Sequence, residues 1–312
     1  MYAKLTHHSL GDVAGLGDFG EVEESHQVTV VVLDSLHPAP LLNLEVFEKL
    51  CLHVLEEYGH TYIVATKYCA TIITYMPQTI AETSDFLIIN KPAGLIVHSD
   101  GRTVEPSLTE WIGEQYPELV HIGAPWVSPQ GQSIPICGLV HRLDRTTSGV
   151  IVAAKTQEMF DYLKNEFKER RVEKTYRAFV YGHMEQGKGR IVAEIMRSSE
   201  TPRRWYSRVC SEDNKRAAVT NWRVLEQLTD TVSGESSSYL ELRPETGRTH
   251  QIRVHLASIG HPIIGDHLYG NRPPICGFTR LALHAYEISF LFDGVRTTFT
   301  APIPNDFNVS TE

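Results

Sequence analysis

The sequence predicts an α+β protein built around a mixed sheet. Many short apolar segments show the period-two pattern of strands, and only a few show the 3.6-residue period of amphipathic helices. The two kinds of segment do not alternate with the spacing that repeated βαβ units require. With 42% hydrophobic and 21% charged residues, the chain has the composition of a folded protein with a sizeable core.

The first 85 residues differ in charge from the rest of the chain. Residues 1–85 contain 3 basic and 12 acidic side chains, whereas residues 86–312 contain equal numbers of each sign. We expect residues 1–85 to form an acidic N-terminal extension or a small accessory domain, and residues 86–312 to form the main domain. Strands at Thr29–Leu33, Tyr62–Thr66 and Ala70–Tyr75 and a helix at Glu45–Tyr58 are predicted before the boundary.

After the boundary the patterned segments follow each other closely. Strands are predicted at Phe86–Asn90, Val150–Ala154, Thr175–Tyr181, Ala218–Leu225, Tyr239–Leu242 and Leu283–Phe292. Helices are predicted at Thr109–Gln115, Gln157–Arg171 and Thr249–Ile259. Thr249 is expected to cap the last helix and Gly260 to end it. Residues 123–136, which contain three prolines, are predicted to be a loop.

Several classes of protein are disfavoured by composition. No apolar run approaches the roughly 20 residues that cross a bilayer, and the N-terminus resembles neither a secretory signal nor a transit peptide. The five cysteines are scattered and form no C-x-x-C pair, which argues for free thiols and against a zinc site. We therefore expect a cytoplasmic or nuclear protein without a metal.

One segment of the chain is locally basic although the whole protein carries a net charge of −9. Residues 142–223 contain 18 basic and 11 acidic side chains. Such a segment can bind phosphate groups, because the local field matters more to a partner than the total charge. Judged by charge alone, an ordinary solvated surface is the stronger alternative.

The first candidate site lies between the proline-rich loop and a predicted strand. Residues His141 to Gly149 read HRLDRTTSG, in which Asp144 has Arg142 and Arg145 close on either side. Loops that are held by a rigid sheet commonly carry catalytic groups. By position alone, a turn in which Asp144 and Thr147 make local side-chain hydrogen bonds is an equally good interpretation.

The second candidate site precedes the last predicted helix. Residues Glu245 to Arg253 read ETGRTHQIR. Gly247 can bend the chain, and the N-terminus of the helix that follows can hold a phosphate or a carboxylate. The alternative is a capped helix whose arginines are only solvated. Two arginines, a glutamine and a histidine around one helix start favour a functional site.

These segments resemble the RluA-type family of RNA pseudouridine synthases. The resemblance covers about residues 85–307, and the motifs occur in the order that the family has. The matching segments are NKPAGL at 90–95 with His98, HRLDRTTSG at 141–149, KTY at 174–176, TGRTHQIRVH at 246–255, GHPI at 260–263, GD at 265–266, YG at 269–270, LHA at 283–285 and APIP at 301–304.

The resemblance implies an isomerase, an intramolecular transferase that converts uridine in tRNA, rRNA or another RNA to pseudouridine. It also implies a catalytic domain with a mixed, largely antiparallel central sheet and flanking helices. RNA would be the partner, no membrane or obligate protein partner is indicated, and no cofactor is required because the reaction is an isomerisation. Asp144 is implied as the nucleophile or as the carboxylate that starts glycosidic cleavage, and Tyr176 as the active-site tyrosine. Arg253 is implied as the cation beside Asp144, whose planar guanidinium can hold a carboxylate through two hydrogen bonds.

Further residues are implied to contact the RNA. Arg142 would enter the space that a flipped nucleotide leaves, and Ile252 would line the pocket for the base. The loop before the last helix adds Arg248. The remaining candidates for phosphate contacts are the basic residues Lys164, Lys168, Arg170, Arg171, Lys174, Arg203, Arg204 and Arg208.

Two other functions compete with the isomerase. A catalytically inactive RNA-binding or RNA-folding module could keep the fold, but such a protein would be expected to lose Asp144 or Arg253. A small-molecule hydrolase is weaker, because hydrolysis at a sugar usually needs two carboxylates and only Asp144 lies in a credible motif. Three departures from the family leave the choice of RNA open: no RNA-binding domain is evident in residues 1–85, NKRA at 214–217 replaces the more usual Gly-Lys pair, and the loop at 123–136 is long.

Overall fold

The computed structural model describes residues 76–99, 105–128, 131–199, 204–211 and 213–307. The four elements predicted between Thr29 and Tyr75 lie outside the described residues, so they stay predictions. The compact unit that contains the described residues begins at Met76. It therefore includes a strand that precedes the boundary expected at residue 85.

The centre of this unit is a ten-stranded sheet. The described strands are β1 (Gln78–Glu82), β2 (Phe86–Lys91), β3 (Trp126–Val127), β4 (Ser133–Ile134), β5 (Ser148–Ala154), β6 (Glu173–Tyr181), β7 (Lys188–Arg197), β8 (Trp205–Val209), β9 (Ala217–Thr229), β10 (Ser236–Pro244), β11 (Leu283–Phe292) and β12 (Val295–Thr300). Strands β3 and β4 form a separate hairpin, and the other ten strands form the sheet. The order is β1-β2-β5-β11-β6-β10-β9-β7-β8, with β12 also paired to β11. Only the pairing of β5 with β11 is parallel among these described strands. The predicted mixed, largely antiparallel sheet is confirmed.

Helices α1 (Leu108–Gln115), α2 (Gln157–Lys168) and α3 (Gln251–Ser258) accompany the sheet, with 3₁₀ turns at Pro117–His121 and Asn305–Phe307. The Ser107 side chain accepts a hydrogen bond at the start of α1, and Thr156 does the same for α2. These caps satisfy backbone N–H groups that the first turn of a helix leaves without a partner. No helix in the described ranges is long and apolar enough to cross a bilayer.

Four strands of the ten-stranded sheet were missing from the sequence prediction: β1, β7, β8 and β12. Each of β1, β8 and β12 lacks a fully buried side chain, so no apolar face marks it in the sequence. β7 has buried residues, but charged residues lie at both of its ends. These strands form because neighbouring strands supply hydrogen-bond partners, which period-two patterning does not report.

One helix and one loop in the middle of the chain differ from their predictions. Helix α2 ends at Lys168 and not at Arg171, because Arg170 takes a left-handed conformation with φ 59°. The Arg171 N–H then donates to the Glu166 carbonyl at 2.9 Å, which closes the last turn. Residues 123–136 are not entirely loop, since their described part contains the short hairpin of β3 and β4.

Strand β5 carries the first candidate site at its N-terminal end. All its residues are buried, and it lies between β2 and β11 in the middle of the sheet. Gly149 has φ 117° and approaches the backbone of Ala285 so closely that a Cβ atom would clash with its carbonyl. A glycine is needed there because β5 and β11 must lie against each other at the point where the HRLD loop enters the sheet.

Candidate active site

The buried Lys91 side chain holds the loop that carries Asp144 in place. The Lys91 side chain is fully buried, and its ammonium donates to the carbonyls of Pro92, Leu95 and Arg145 at 2.8, 2.8 and 3.3 Å. The Gly94 N–H also donates to the Arg145 carbonyl at 2.8 Å. Burial lowers the Lys91 pKa to about 7, against an opposing effect of the nearby Asp144 carboxylate. The NKP segment therefore fixes the backbone directly after Asp144.

The carboxylate of Asp144 faces Arg253. The Thr147 N–H closes a turn on the Asp144 carbonyl at 3.1 Å, but the Asp144 side chain points elsewhere. Its Oδ2 lies 3.4 Å from the Arg253 Nη1, and 22% of the Asp144 side chain is exposed. A turn is therefore present, but backbone groups close it and not the side chains of the alternative interpretation. It coexists with a contact between the two candidate sites.

The two-pronged partner of Arg253 is Asp266. The Arg253 Nε and Nη2 groups donate to the two carboxylate oxygens of Asp266, each at 2.8 Å. The backbone N–H groups of Leu268 and Tyr269 add two further donors to Asp266, whose side chain is fully buried. The expectation that Arg253 grips Asp144 through both prongs is therefore wrong. Asp266 occupies one edge of the guanidinium and leaves Nη1 for Asp144.

The segment before α3 differs from the prediction. The helix begins at Gln251, and the residue before it is His250 in a left-handed conformation, so Thr249 is not its cap. The Gln251 side chain organises this segment instead. Its Oε1 accepts from the Thr246 hydroxyl and the Arg248 N–H at 2.7 and 3.1 Å. Its Nε2 donates to the Val219 carbonyl on β9, which anchors the loop to the sheet. Gly260, with φ 87°, follows the end of the helix as expected.

His250 and Tyr269 complete the surroundings of Asp144. The His250 Nε2 lies 3.8 Å from the Asp144 Oδ2, and its Nδ1 lies 2.9 Å from the Tyr269 hydroxyl. The Tyr269 hydroxyl also accepts from the Trp205 N–H at 3.0 Å. The guanidinium of Arg253 lies over the Tyr269 ring at 5.2 Å. The sequence assigned no role to Asp266 or Tyr269, although both lie in the short GD and YG segments.

Tyr176 on β6 lies next to this group. It pairs with Ala285 of β11 and Leu242 of β10, and its side chain is partly buried. Burial raises the Tyr176 pKa well above its usual range, and the negative charge of Asp144 adds to the increase. The phenol therefore keeps its proton at neutral pH.

A cleft of about 480 Å³ opens beside Tyr176. It is lined by Val140, His141, Arg142, Lys164, Phe167, Lys168, Arg170, Lys174, Tyr176, Pro244, Glu245, Thr246, Gly247 and Arg248. Six of these residues are cationic and one, Glu245, is acidic. Glu245 is already paired with the Arg190 guanidinium. The cleft therefore has a strong positive charge and borders the carboxylate site through Tyr176.

The predicted RNA-binding residues separate into two groups. The cleft is lined by Arg142, Lys164, Lys168, Arg170, Lys174 and Arg248, all of which are exposed except Lys174, which is half-buried. The others do not line it. Arg171 pairs with Glu166 at 2.6 Å, Arg208 pairs with Glu194 at 2.7 Å, Ile252 is 7% exposed within the hydrophobic core, and Arg204 lies over the Tyr269 ring at 5.8 Å. Arg203 lies outside the described residues.

No metal-binding arrangement is present among the described residues, where no three His, Cys, Asp or Glu side chains come close enough to share an ion. The described cysteines Cys137, Cys210 and Cys276 are free thiols. Arg253 lies between Asp144 and Asp266 and forms an ion pair with each carboxylate.

Comparisons with known proteins identify the family of the chain. The family described as RNA pseudouridylate synthase matches residues 85–258. Ribosomal large subunit pseudouridine synthase D of Neisseria meningitidis serogroup B is 35% identical over 266 residues, which cover 80% of this chain and 65% of that protein. The dual-specificity RNA pseudouridine synthase RluA of Vibrio parahaemolyticus is 33% identical over 244 residues, covering 76% of this chain and 88% of that protein.

A solved human structure, RNA Pseudouridylate Synthase Domain Containing 1, has a similar fold. It superposes with a TM-score of 0.55 and 27% identity, and the match covers 74% of this chain and 85% of that one. This chain spans 65% and 61% of the length of the synthases D of the two Neisseria meningitidis serogroups. By its family match and its relatives, the chain belongs to the RNA pseudouridylate synthase family, in the RluA-type branch.

Proposed function

We propose that the protein is an RNA pseudouridine synthase, an isomerase that acts on specific uridines in structured RNA. The observation that carries this proposal is the contact of the Asp144 carboxylate with Arg253 beside a strongly cationic cleft. A carboxylate that can react with a sugar carbon is thereby combined with a surface suited to a polyanion. Relatives named for the large ribosomal subunit make its RNA the first substrate to test.

The reaction moves the uracil base on one ribose. The bond between N1 and C1′ breaks, a bond between C5 and C1′ forms, C5 loses its proton and N1 gains one. Asp144 attacks C1′ or starts cleavage by removing a ribose proton, and both routes need the charged carboxylate that Arg253 stabilises. Atoms and electrons balance within the nucleotide, so the reaction needs no cofactor.

Tyr176 acts on the uracil ring in the proposed reaction. Its ring can stack on uracil, and its protonated phenol can take part in moving the proton between C5 and N1. The raised pKa of Tyr176 supports the second role, because a phenol that stays protonated can donate as well as accept.

The target uridine leaves its helix to reach Asp144. Eversion costs a few kcal/mol, and a side chain that occupies the vacated stack offsets part of that cost. Arg142, exposed at the cleft and two residues from Asp144, fits this position. Lys168, Arg170 and Arg248 bind the flanking phosphates, which sets the register of the RNA without reading its sequence.

The direct test is to map pseudouridine across cellular RNA with and without this protein, and with the Asp144→Asn variant in its place. We expect at least one uridine to be modified only when the unaltered protein is present. If no position depends on the protein, or if the variant restores every lost position, the proposed activity is wrong. Restoration by the variant would instead support a non-catalytic RNA-binding module.

A further inference from the structure

The backbone of His250 is in an uncommon conformation. Its φ of 54° lies in the left-handed region, which residues other than glycine rarely occupy. Such strain persists where the surrounding structure fixes it, and it concentrates at functional sites. Here the next residue, Gln251, binds the loop to β9, and the strained turn directs the His250 ring toward Asp144.

Two hydrogen bonds link the Trp205 backbone, the Tyr269 hydroxyl and the His250 ring, and the ring faces the Asp144 carboxylate. The Trp205 backbone N–H can only donate, so the Tyr269 oxygen accepts from it at 3.0 Å. The Tyr269 O–H then needs an acceptor, and the His250 Nδ1 lies 2.9 Å away. On the other side of the imidazole, Nε2 faces the Asp144 Oδ2 at 3.8 Å.

This arrangement decides which nitrogen of His250 carries the proton. Burial lowers the His250 pKa, with Arg253 and Arg142 also lowering it and Asp144 and Asp266 opposing them, so the ring is neutral near pH 7. A proton on Nδ1 would give the Tyr269 oxygen two donors and leave the phenol proton without its acceptor. It would also turn the Nε2 lone pair toward a carboxylate oxygen. A proton on Nε2 avoids both conflicts.

From this geometry we infer that His250 is a positioning residue whose Nε2–H group holds the Oδ2 atom of Asp144, while Tyr269 fixes the tautomer. Oδ2 then faces two donors, Nη1 of Arg253 and Nε2 of His250. Among the described residues Oδ1 has no hydrogen-bond or ion-pair partner, so Oδ1 is the oxygen that reacts with the nucleotide. The inference rests on the proposed function and adds to it the choice of reacting oxygen.

The present separation of 3.8 Å is longer than a hydrogen bond. A shift of roughly 1 Å closes it, and catalytic hydrogen bonds of free enzymes commonly shorten when substrate binds. His250 thus contributes most when RNA occupies the cleft. Its effect belongs in the rate of the chemical step and not in the affinity for RNA.

Two substitutions separate the two sides of the ring. The amide nitrogen of glutamine can reach the position of Nε2, so His250→Gln keeps a donor for Asp144. The shorter asparagine reaches only the position of Nδ1, so His250→Asn keeps a partner for Tyr269 and loses the donor. On an unmodified transcript of large-subunit ribosomal RNA, we expect kcat to fall about 10- to 100-fold in the asparagine variant, with KM within a few-fold. The glutamine variant should stay within about threefold of the unaltered protein.

A purely structural role for His250 predicts a different pattern. Both variants would then lose activity together with melting temperature, and the asparagine and glutamine variants would not separate in kcat. Equal kcat values in the two variants would overturn the inference. His261→Asn is the matched control, since His261 binds the Tyr181 carbonyl and contacts neither Asp144 nor Tyr269.

The tautomer can be measured without any RNA. Nitrogen-15 NMR of the full-length protein at neutral pH should show His250 protonated on Nε2, and Tyr269→Phe should yield a mixture of the two tautomers. Protonation on Nδ1 in the unaltered protein would overturn the inference. This measurement decides the inference even if the transcript is not a substrate, whereas the mapping experiment alone decides the proposed activity.

Discussion

The carboxylate site, formed by Asp144, Arg253 and Asp266, lies beside the cationic cleft, but the charges of the two regions are arranged in opposite ways. At the carboxylate site Arg253 and Asp266 are buried, and their charges meet in short, directional hydrogen bonds. In the cleft Arg142, Lys168 and Arg248 are exposed, and their charges point into solvent. The first arrangement fixes atoms in place, and the second attracts a flexible polyanion without fixing it.

The contrast teaches that chemistry and binding are separable in this protein. Buried paired charges are sensitive to the loss of one partner, because the other is then left unpaired in a poor solvent. Exposed cations act together through a screened field, so the loss of one is mild and depends on salt. Substitutions in the two regions should therefore affect different measured quantities.

Replacing the reactive carboxylate should have the largest effect. Asp144→Asn keeps the shape of the side chain but removes the charge and the nucleophile, so we expect pseudouridine formation to fall by at least about 10³-fold. RNA affinity should stay within a few-fold, because Asp144 makes no phosphate contact in this scheme. Turnover near the unaltered rate would show that another group performs the reaction.

Removing the shared arginine should come next. Arg253→Ala leaves the fully buried Asp266 without its partner, which should destabilise the protein by about 3–5 kcal/mol and reduce turnover by about 10²- to 10³-fold. Thermal unfolding and single-turnover rates measure the two effects.

Arg253→Lys is the matched control for this prediction. Lysine keeps the charge but cannot bind Asp266 through two prongs while also facing Asp144. Part of the lost stability should return, while turnover should stay low. If Arg253→Ala leaves both activity and melting temperature unchanged, the ion pairs seen here do not matter for function.

His141, in the same motif as Asp144, should make stability depend on pH. Its Nε2 accepts from the Val152 N–H at 3.1 Å, its ring stacks on Phe167, and burial lowers its pKa to about 3. Below about pH 6.5 the His141 imidazole therefore binds a proton in the unfolded chain, whereas it stays neutral in the folded protein. The folded state should lose about 1–2 kcal/mol between pH 7 and pH 5 through this group.

Urea unfolding at several pH values tests this dependence, with His141→Gln as the comparison because glutamine can accept the same hydrogen bond without titrating. The variant should show a flatter decline of stability with falling pH. An identical decline in both proteins would assign the effect to other groups.

Changes in the cleft should have the smallest effect, and one that depends on salt. Lys168→Gln combined with Arg170→Gln should weaken RNA binding about three- to tenfold and flatten the slope of log affinity against log salt by about 1–2 units. Arg171→Gln is the neighbouring control, because Arg171 is paired with Glu166 and does not line the cleft. It should alter melting temperature with little change in the salt slope. An unaltered slope in the double variant would place the RNA elsewhere.

The elements that could be predicted from the sequence are those whose buried side chains form an apolar pattern. The apolar runs of β2 and β5 and the stripe of α2 are visible because most of their core-facing residues are buried. Strands β8 and β12 expose most of their residues, so their position depends on neighbours that are distant in the chain. Pairing of this kind has no local signal.

The sequence predicted which motifs form the site, but it did not predict which side chains of those motifs contact one another. The resemblance brought Asp144 and Arg253 together as a hypothesis, and the two side chains are in contact. The two-pronged partner was misassigned because the sequence does not show how many carboxylates face one guanidinium. Asp266 reaches Arg253 only because Leu268 and Tyr269 turn the chain around its carboxylate. Likewise, the contact of His250 with Tyr269 depends on an unusual backbone angle at His250.

The most direct test of the account is the single-turnover rate of pseudouridine formation at saturating protein, measured for Asp144→Asn and for the cleft double variant on one RNA. We predict that the cleft variant regains nearly the full rate once enough protein is present, whereas the Asp144 variant stays inactive at every concentration. If saturation rescues the Asp144 variant, or if the cleft variant stays slow at saturation, chemistry and binding are not divided between the two regions as described.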